Sequence, residues 1–453
     1  MLAIVVSRAD EASVHIGERL LERGDWETET DERRPDSEGG GTVYRQGDVE
    51  LREFDGLHLE LTDPAAAFDD PDLLVFASKH AGETDELLTA HHTGNFGAAE
   101  YGGADGHVAR ACPNALRAVV HALQEHAPDR YDVGIECTHH GPTDVGAPSM
   151  FVEVGSAEPQ WDDPEAATAV AAAILDLEGV AADAPREDGT RRHLVGLGGG
   201  HYAPRFERVV RETDWSVGHV AADWTLEALE EWAEDDEQYA AVLRRAFEAS
   251  AADYALLEDD RPELAATVES LGYRVVGETF VKETSGVPLD LVEALEGEVA
   301  SVEDGLRFGD QATEFDGEWT VVDLPADLLA EARGIDEAAV RTLVEAETLA
   351  FGTEQNGTVV AGPFGCPDGV GTARDRLVEG LVDILREQYD SVERDGDEVV
   401  VRETAFDPEL ARTAGIPEGP KFGRLASGRS VEVDGEEIGP ERFQRERIRR
   451  FTL

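Results

Sequence analysis

Lysine is nearly missing from this chain. Of 39 basic residues in 453, only Lys79, Lys282 and Lys421 are lysines, and they stand against 98 aspartates and glutamates. A formal charge of −59 excludes a broadly basic surface, so the usual electrostatic footprint of nucleic-acid binding is not to be expected, whatever the partner. Cysteine is also scarce: Cys112, Cys137 and Cys366 are odd in number and far apart, which argues against a disulfide framework. The opening MLAIVVSRADE has no basic region and only a short apolar run, so a signal peptide is not expected. No run approaches the about 18 apolar residues that a transmembrane helix requires, and a soluble cytoplasmic monomer without membrane or DNA partners is the expectation. Histidine is missing from one part alone: all 13 lie at or before His219.

What is present fits a folded, salt-adapted chain. Hydrophobic residues make up 41%, enough for a sizeable core, and the length suggests two or three domains. The acids are spread along the whole chain. Such a chain repels itself at low salt, whereas at about 1 M salt the Debye length falls to about 3 Å and the repulsion largely disappears. The acidity therefore reads as adaptation to a salt-rich cytoplasm.

Short apolar runs alternate with helical patterns. Residues 2–7 read as a buried strand, and Asp10 as the N-cap of a helix with Ala12, Ile16 and Leu20 on one face. Residues 27–48 read as a polar, glycine-rich loop, and 49–53 with 57–61 as a hairpin turning through Phe54-Asp55-Gly56. Further strands are expected at 73–77, 131–135, 150–154, 193–197, 216–220, 254–257 and 273–276, with Pro113, Pro164 and Pro204 opening helices between them. A His-rich loop is expected at 80–107. The alternation predicts an α/β fold with a largely parallel or mixed sheet and helices on both faces. The pattern breaks near 305–318, which divides the chain into a first domain, 1–308, and a smaller α+β domain, 319–453. The second domain contains a helix near 373–389, a strand at 399–402 and a hairpin through Asp434-Gly435.

The histidines carry the functional signal. They cluster after expected strands, as Lys79-His80, His91-His92, Glu136-Cys137-Thr138-His139-His140 and Gly200-His201. In open α/β sheets the ligand crevice lies outside the carboxyl ends of the strands, where separate loops converge. Imidazoles joined by a carboxylate suit zinc, so His80, His140 and His201 are candidate ligands for one or two Zn2+ ions, with Glu136 binding or orienting. His139 or Glu136 is the candidate proton shuttle. Cys137 beside a histidine is a weaker candidate nucleophile.

Gly198-Gly199-Gly200 stands between a strand and the helix opened by Pro204. Its backbone N–H groups are candidates to hold an oxyanion or terminal phosphate, with Arg205 and Lys79 as further phosphate contacts. His92 and Asn95 are candidate substrate contacts in a loop. The terminal stretch 441–453 has five arginines against two glutamates; it either meets RNA phosphates or docks on the protein's own acids.

SKHAGETDELLTAHHTGNFG, ECTHHGPTD and GGGHYAPRF, in that order after LAIVVSRAD, resemble the archaeal and plant type of D-aminoacyl-tRNA deacylase. The resemblance implies hydrolysis of the ester joining a D-amino acid to tRNA, zinc as cofactor, D-aminoacyl-tRNA as partner, and a phosphorylase/hydrolase-like α/β fold. It also implies that residues 311–453 are an extension of the kind seen in haloarchaeal relatives. A zinc-dependent amidase or peptidase would use the same histidines, and a non-catalytic tRNA-binding protein with a structural metal would keep them without turnover.

Overall fold

Residues 2–7, LAIVVS, are uncharged and buried throughout as strand β1 (Leu2–Ser7). They occupy the middle of a sheet in a computed structural model that describes every residue except 188, 314, 369–371 and 434–435. The chain forms two units, Met1–Ser285 and Gly286–Leu453.

In the first unit, eight strands form one mixed sheet in the order β2-β3-β4-β1-β5-β8-β6-β7. They are β1, β2 (Glu27–Asp31), β3 (Gly41–Gln46), β4 (Val49–Phe54), β5 (Leu73–Lys79), β6 (Leu87–His91), β7 (Asp132–Ile135) and β8 (Ser149–Gly155). β4, β1, β5 and β8 run parallel, while β6 runs antiparallel to β8 and carries β7 beside it. A second, fully parallel sheet has the order β10-β9-β11-β12, from β9 (His193–Leu197), β10 (Ser216–Ala221), β11 (Tyr254–Leu257) and β12 (Arg274–Val276). Helices such as Glu11–Glu22, Pro113–His126 and Pro164–Leu175 bury their apolar stripes between these strands.

Three local expectations give way. Residues 27–48 hold two strands, because the Thr/Glu alternation of β2 suits an exposed edge paired with β3. The partner of β4 in its hairpin is β3, through Gly47-Asp48; His58–Glu60 instead forms a short 3-10 turn. The segment 80–107, expected as a loop, contains β6, whose LLTAH is wholly buried.

One cap links the fold to the site. The buried Asp10 carboxylate accepts from Ser13 N at 3.1 Å, capping the first helix, and also from Ser78 Oγ at 3.2 Å and Lys79 N at 3.1 Å. The end of β5, which leads into His80, is thereby fixed.

The second unit is α+β. An antiparallel sheet has the order β13-β15-β16-β14, from β13 (Leu306–Phe308), β14 (Trp319–Val322), β15 (Ala350–Glu354) and β16 (Val359–Pro367). Another has the order β17-β18-β21, from β17 (Ser391–Asp395), β18 (Glu398–Phe406) and β21 (Gln444–Thr452), with a small pair β19 (Val431–Val433) and β20 (Glu436–Ile438) between them in sequence. The turn expected at Asp434-Gly435 lies outside the described residues. The helix Ala373–Leu385 packs Leu377, Leu381 and Ile384 into this unit's core. By internal contacts the division falls at Ser285/Gly286, ahead of the break expected near 305–318, and β13 pairs with β15 within the second unit.

The arginines of the last strand are engaged by the unit's own acids. Arg445 meets Asp407 at 2.9 Å, Arg447 meets Glu403 at 3.7 Å, Arg450 meets Glu398 at 3.0 Å, and Arg449 pairs with Glu331.

Candidate active site

The side-chain alternation of a strand sets the floor of the site. By register, Phe76 and Ser78 of β5, Phe151 and Glu153 of β8, and Thr89 and His91 of β6 share one face of the large sheet. A cavity of about 410 Å³ opens above it, lined among others by Lys79, His80, His139, His140, His201 and Glu153. The expectation that all imidazoles would arrive at the carboxyl ends of parallel strands is corrected here. His80 follows the end of β5, but His91 ends β6, which runs the other way, so the rings meet over the face of the sheet.

His201 comes from the second sheet. The segment after β9 pairs with the segment after β7: Cys137 N donates to His201 O at 2.8 Å and Ala203 N to Ile135 O at 2.9 Å. Thr138 N donates to Val220 O at 2.8 Å. These backbone bonds bring the ECTHH stretch and the GGGHY stretch together.

The buried Glu136 is the hub. Its Oε2 lies 2.9 Å from His201 Nε2 and its Oε1 lies 3.1 Å from His80 Nδ1. The other nitrogen of His80 is 2.8 Å from Tyr202 Oη. Glu153, also buried, lies 3.8 Å from His80 Nδ1 and 3.7 Å from His91 Nε2. His139 packs between its neighbours, with ring centroids 4.4 Å from His140, 4.6 Å from His201 and 4.7 Å from His91.

The electrostatics follow from burial and these distances. Burial, together with neighbouring imidazoles, holds His91 and His139 below the ordinary histidine value and takes His140 down to about 3. All three are thus neutral near pH 7. Burial opposes the charged form of His80, yet Glu136 and Glu153 together hold it above the ordinary value. Burial likewise opposes the Glu136 carboxylate, but His201 and His80 hold it well below the usual range. Burial and the Glu136 charge push Glu153 well above that range. The two neighbouring carboxyls are therefore pushed in opposite directions, the divergence that marks acid–base sites. Burial and then Glu136 push the Cys137 thiol up to about 12, which removes the thiolate that a nucleophile would need.

The donor set fits a metal. Nδ1 of His91, His139 and His140 lies 3.0, 2.8 and 2.7 Å from the carbonyl oxygens of His92, Cys137 and Gly141. With Nδ1–H donating there, each ring turns an Nε2 lone pair outward, the arrangement by which neighbours fix a histidine ligand. One ligand atom from each of the three lies within 4.8 Å of the others. His91 Nε2 is buried without a hydrogen-bond partner among the described residues, as a ligand atom of a cation would be.

His80, His140 and His201, expected from the sequence as one ligand set, divide between two neighbouring groups: His80 and His201 stand with Glu136, and His140 stands with His91 and His139. Sequence reasoning singled out His91-His92 but gave His91 no role, and it missed Glu153, although a glutamate inside the apolar SMFVEVG is a signal in itself.

Other candidates are committed elsewhere. His92 is buried, with Nδ1 3.0 Å from Gly218 O and Nε2 accepting from Cys112 N at 3.1 Å. Asn95 Nδ2 donates to Gly102 O at 2.8 Å. Gly198 N donates to Ala221 O at 2.7 Å and Gly199 N to Asp223 Oδ1 at 3.1 Å, so these two N–H groups close their own turn and do not await an anion. Gly200 follows them and is not among the residues that line the cavity. Arg205 donates to Glu258 O and lies 3.6 Å from Glu278.

Comparison with known proteins agrees with the motifs. The family model described as D-aminoacyl-tRNA deacylase matches residues 67–276. A D-aminoacyl-tRNA deacylase from Haloarcula marismortui is 69% identical over all of both chains. Another, from Methanococcoides burtonii, is 32% identical over 97% of this chain and 94% of its own, so the second unit is shared beyond haloarchaeal relatives. A crystal structure titled as a conserved protein of unknown function aligns with a TM-score of 0.54 and 29% identity, covering 63% of this chain and 98% of its own. The chain belongs to the D-aminoacyl-tRNA deacylase family.

Proposed function

We propose that this chain hydrolyses the ester between a D-amino acid and the terminal ribose of tRNA, releasing the free amino acid and the tRNA. The observation that carries the reading is the clustering of His80, His91, His139, His140, His201, Glu136 and Glu153 in a chain from this family, with His80, His139, His140, His201 and Glu153 lining one cavity. Zinc is the ion these donors suit, with His91, His139 and His140 holding it through Nε2. When bound, zinc polarises a carbonyl oxygen and makes a water molecule a stronger acid.

The chain's own residues carry the proton. Glu136 accepts Nε2–H of His201, which leaves Nδ1 of that partly exposed ring, 4.0 Å from Cys137 Sγ, to take the proton of the attacking water. The carbon–oxygen ester bond then breaks, and His201 returns the proton to the departing ribose oxygen. Glu136 is the positioning group behind it. The His80 ring, fixed by Tyr202 and the end of β5, holds the other Glu136 oxygen through Nδ1 at 3.1 Å. Lys79 lies on the rim, its ammonium 4.6 Å from the Trp161 ring centre, and meets the terminal phosphate. This work belongs to translation, hence to the cytoplasm, and the acidic composition suits a salt-rich one.

The test is an assay of D- and L-tyrosyl-tRNA at high salt, with and without a chelator. Faster hydrolysis of the D-ester, lost on chelation while the circular dichroism spectrum persists, supports the reading. Equal rates on both enantiomers, or turnover that ignores the chelator, refute it.

A further inference from the structure

Tyr101 is a large aromatic residue left 64% exposed, and it stands on the rim of the cavity that holds the histidine cluster. Exposing a ring forgoes the burial energy that aromatic side chains normally gain, so its support is informative. The Tyr101 carbonyl accepts from Gly141 N at 3.0 Å, directly after His140. Asn95 Nδ2 donates to Gly102 O at 2.8 Å, and Ala104 N donates to Thr143 Oγ1 at 2.9 Å. Gly102 has φ +74°, and a Cβ there would collide with the Leu59 carbonyl. The segment is thus clamped against the loop that carries His139 and His140, and against the turn at Leu59. The clamp holds the backbone and leaves the ring in solvent.

Every aminoacyl-tRNA ends in an adenosine whose ribose carries the ester. When the ester carbonyl is at the histidines, the adenine must lie within one ribose of them, at the rim. Resting on the functional reading above, we propose that the Tyr101 ring is the stacking platform for the terminal adenine of the substrate. Stacking needs a π-face and no net positive charge, which is how a chain at −59 can hold an RNA end at high salt, where phosphate contacts are weak. Asn95 then acts through the loop it braces and does not touch substrate.

The experiment uses the full chain at high salt. Tyr101→Ala raises KM for D-aminoacyl-tRNA about 5- to 100-fold, the worth of one base–aromatic stack, and lowers kcat far less. Tyr101→Phe and Tyr101→Trp restore KM. D-tyrosine ethyl ester, which lacks the base, is hydrolysed equally by wild type and Tyr101→Ala. Uncharged tRNA with 2-aminopurine as its terminal base loses fluorescence on wild type and not on Tyr101→Ala. An unchanged KM, equal quenching, or an equal loss on the ethyl ester overturns the proposal. A wild type that leaves D-aminoacyl-tRNA intact refutes the functional reading instead, and the quenching comparison alone then decides Tyr101.

Discussion

Replacing Glu136 by glutamine tests the acid–base reading most directly. The carboxylate is fully buried and meets two imidazoles, at 2.9 and 3.1 Å. A glutamine side chain has nearly the same shape but only one accepting oxygen, so one imidazole N–H loses its partner. A hydrogen bond to a charged group contributes about 1.5–3 kcal/mol. Part of that loss is offset because no charge is buried any longer, leaving a net destabilisation of about 1 kcal/mol. The effect on catalysis is larger. If Glu136 fixes the His201 tautomer, its loss lowers kcat by about 10²- to 10⁴-fold, the range of a general base that has lost its orientation. Single-turnover deacylation of D-tyrosyl-tRNA measures this, with thermal unfolding as the control. The pair must also be coupled, so that Glu136→Gln combined with His201→Ala is no slower than His201→Ala alone. A Glu136→Gln enzyme within about threefold of wild type, or a double variant whose losses multiply, would refute the assignment.

Metal analysis of protein purified at high salt gives one or two zinc ions per chain; His140→Ala lowers zinc retention and deacylation together, and added zinc partly restores both. Asp10→Ala leaves the donors of Ser13, Ser78 and Lys79 without their acceptor, and chemical denaturation shows a loss of about 3 kcal/mol. Raising salt from about 0.1 M to about 1 M shortens the Debye length from about 10 to about 3 Å and raises the unfolding temperature of this chain at −59; an unchanged midpoint counts against the salt-adaptation reading.

The legible parts of the site are those fixed by local chemistry. His80, Glu136, His139, His140 and His201 stand out because imidazoles beside apolar runs are rare and lie where strands end. His91 and Glu153 stay hidden for one reason: the LLTAH run reads as loop, so neither the strand nor its antiparallel direction is visible in the sequence. The glycine turn misleads because a glycine cluster before a helix looks alike whether its N–H groups await a ligand or bind Ala221 and Asp223. The arginines of β21 have two equal uses on sequence grounds, and their pairing with Asp407, Glu403, Glu331 and Glu398 depends on strands far apart in sequence.

By itself, then, the sequence determined the α/β class, the confinement of imidazole chemistry to the first unit and the strongly acidic charge balance, since composition and short-range periodicity act residue by residue. Only the tertiary structure decided which histidines share a group, that Glu136 joins His80 to His201, and that Tyr101 stands on the rim of the cavity. Those relations are distances between segments brought together by strand pairing, and no local pattern encodes the direction in which β6 runs beside β8.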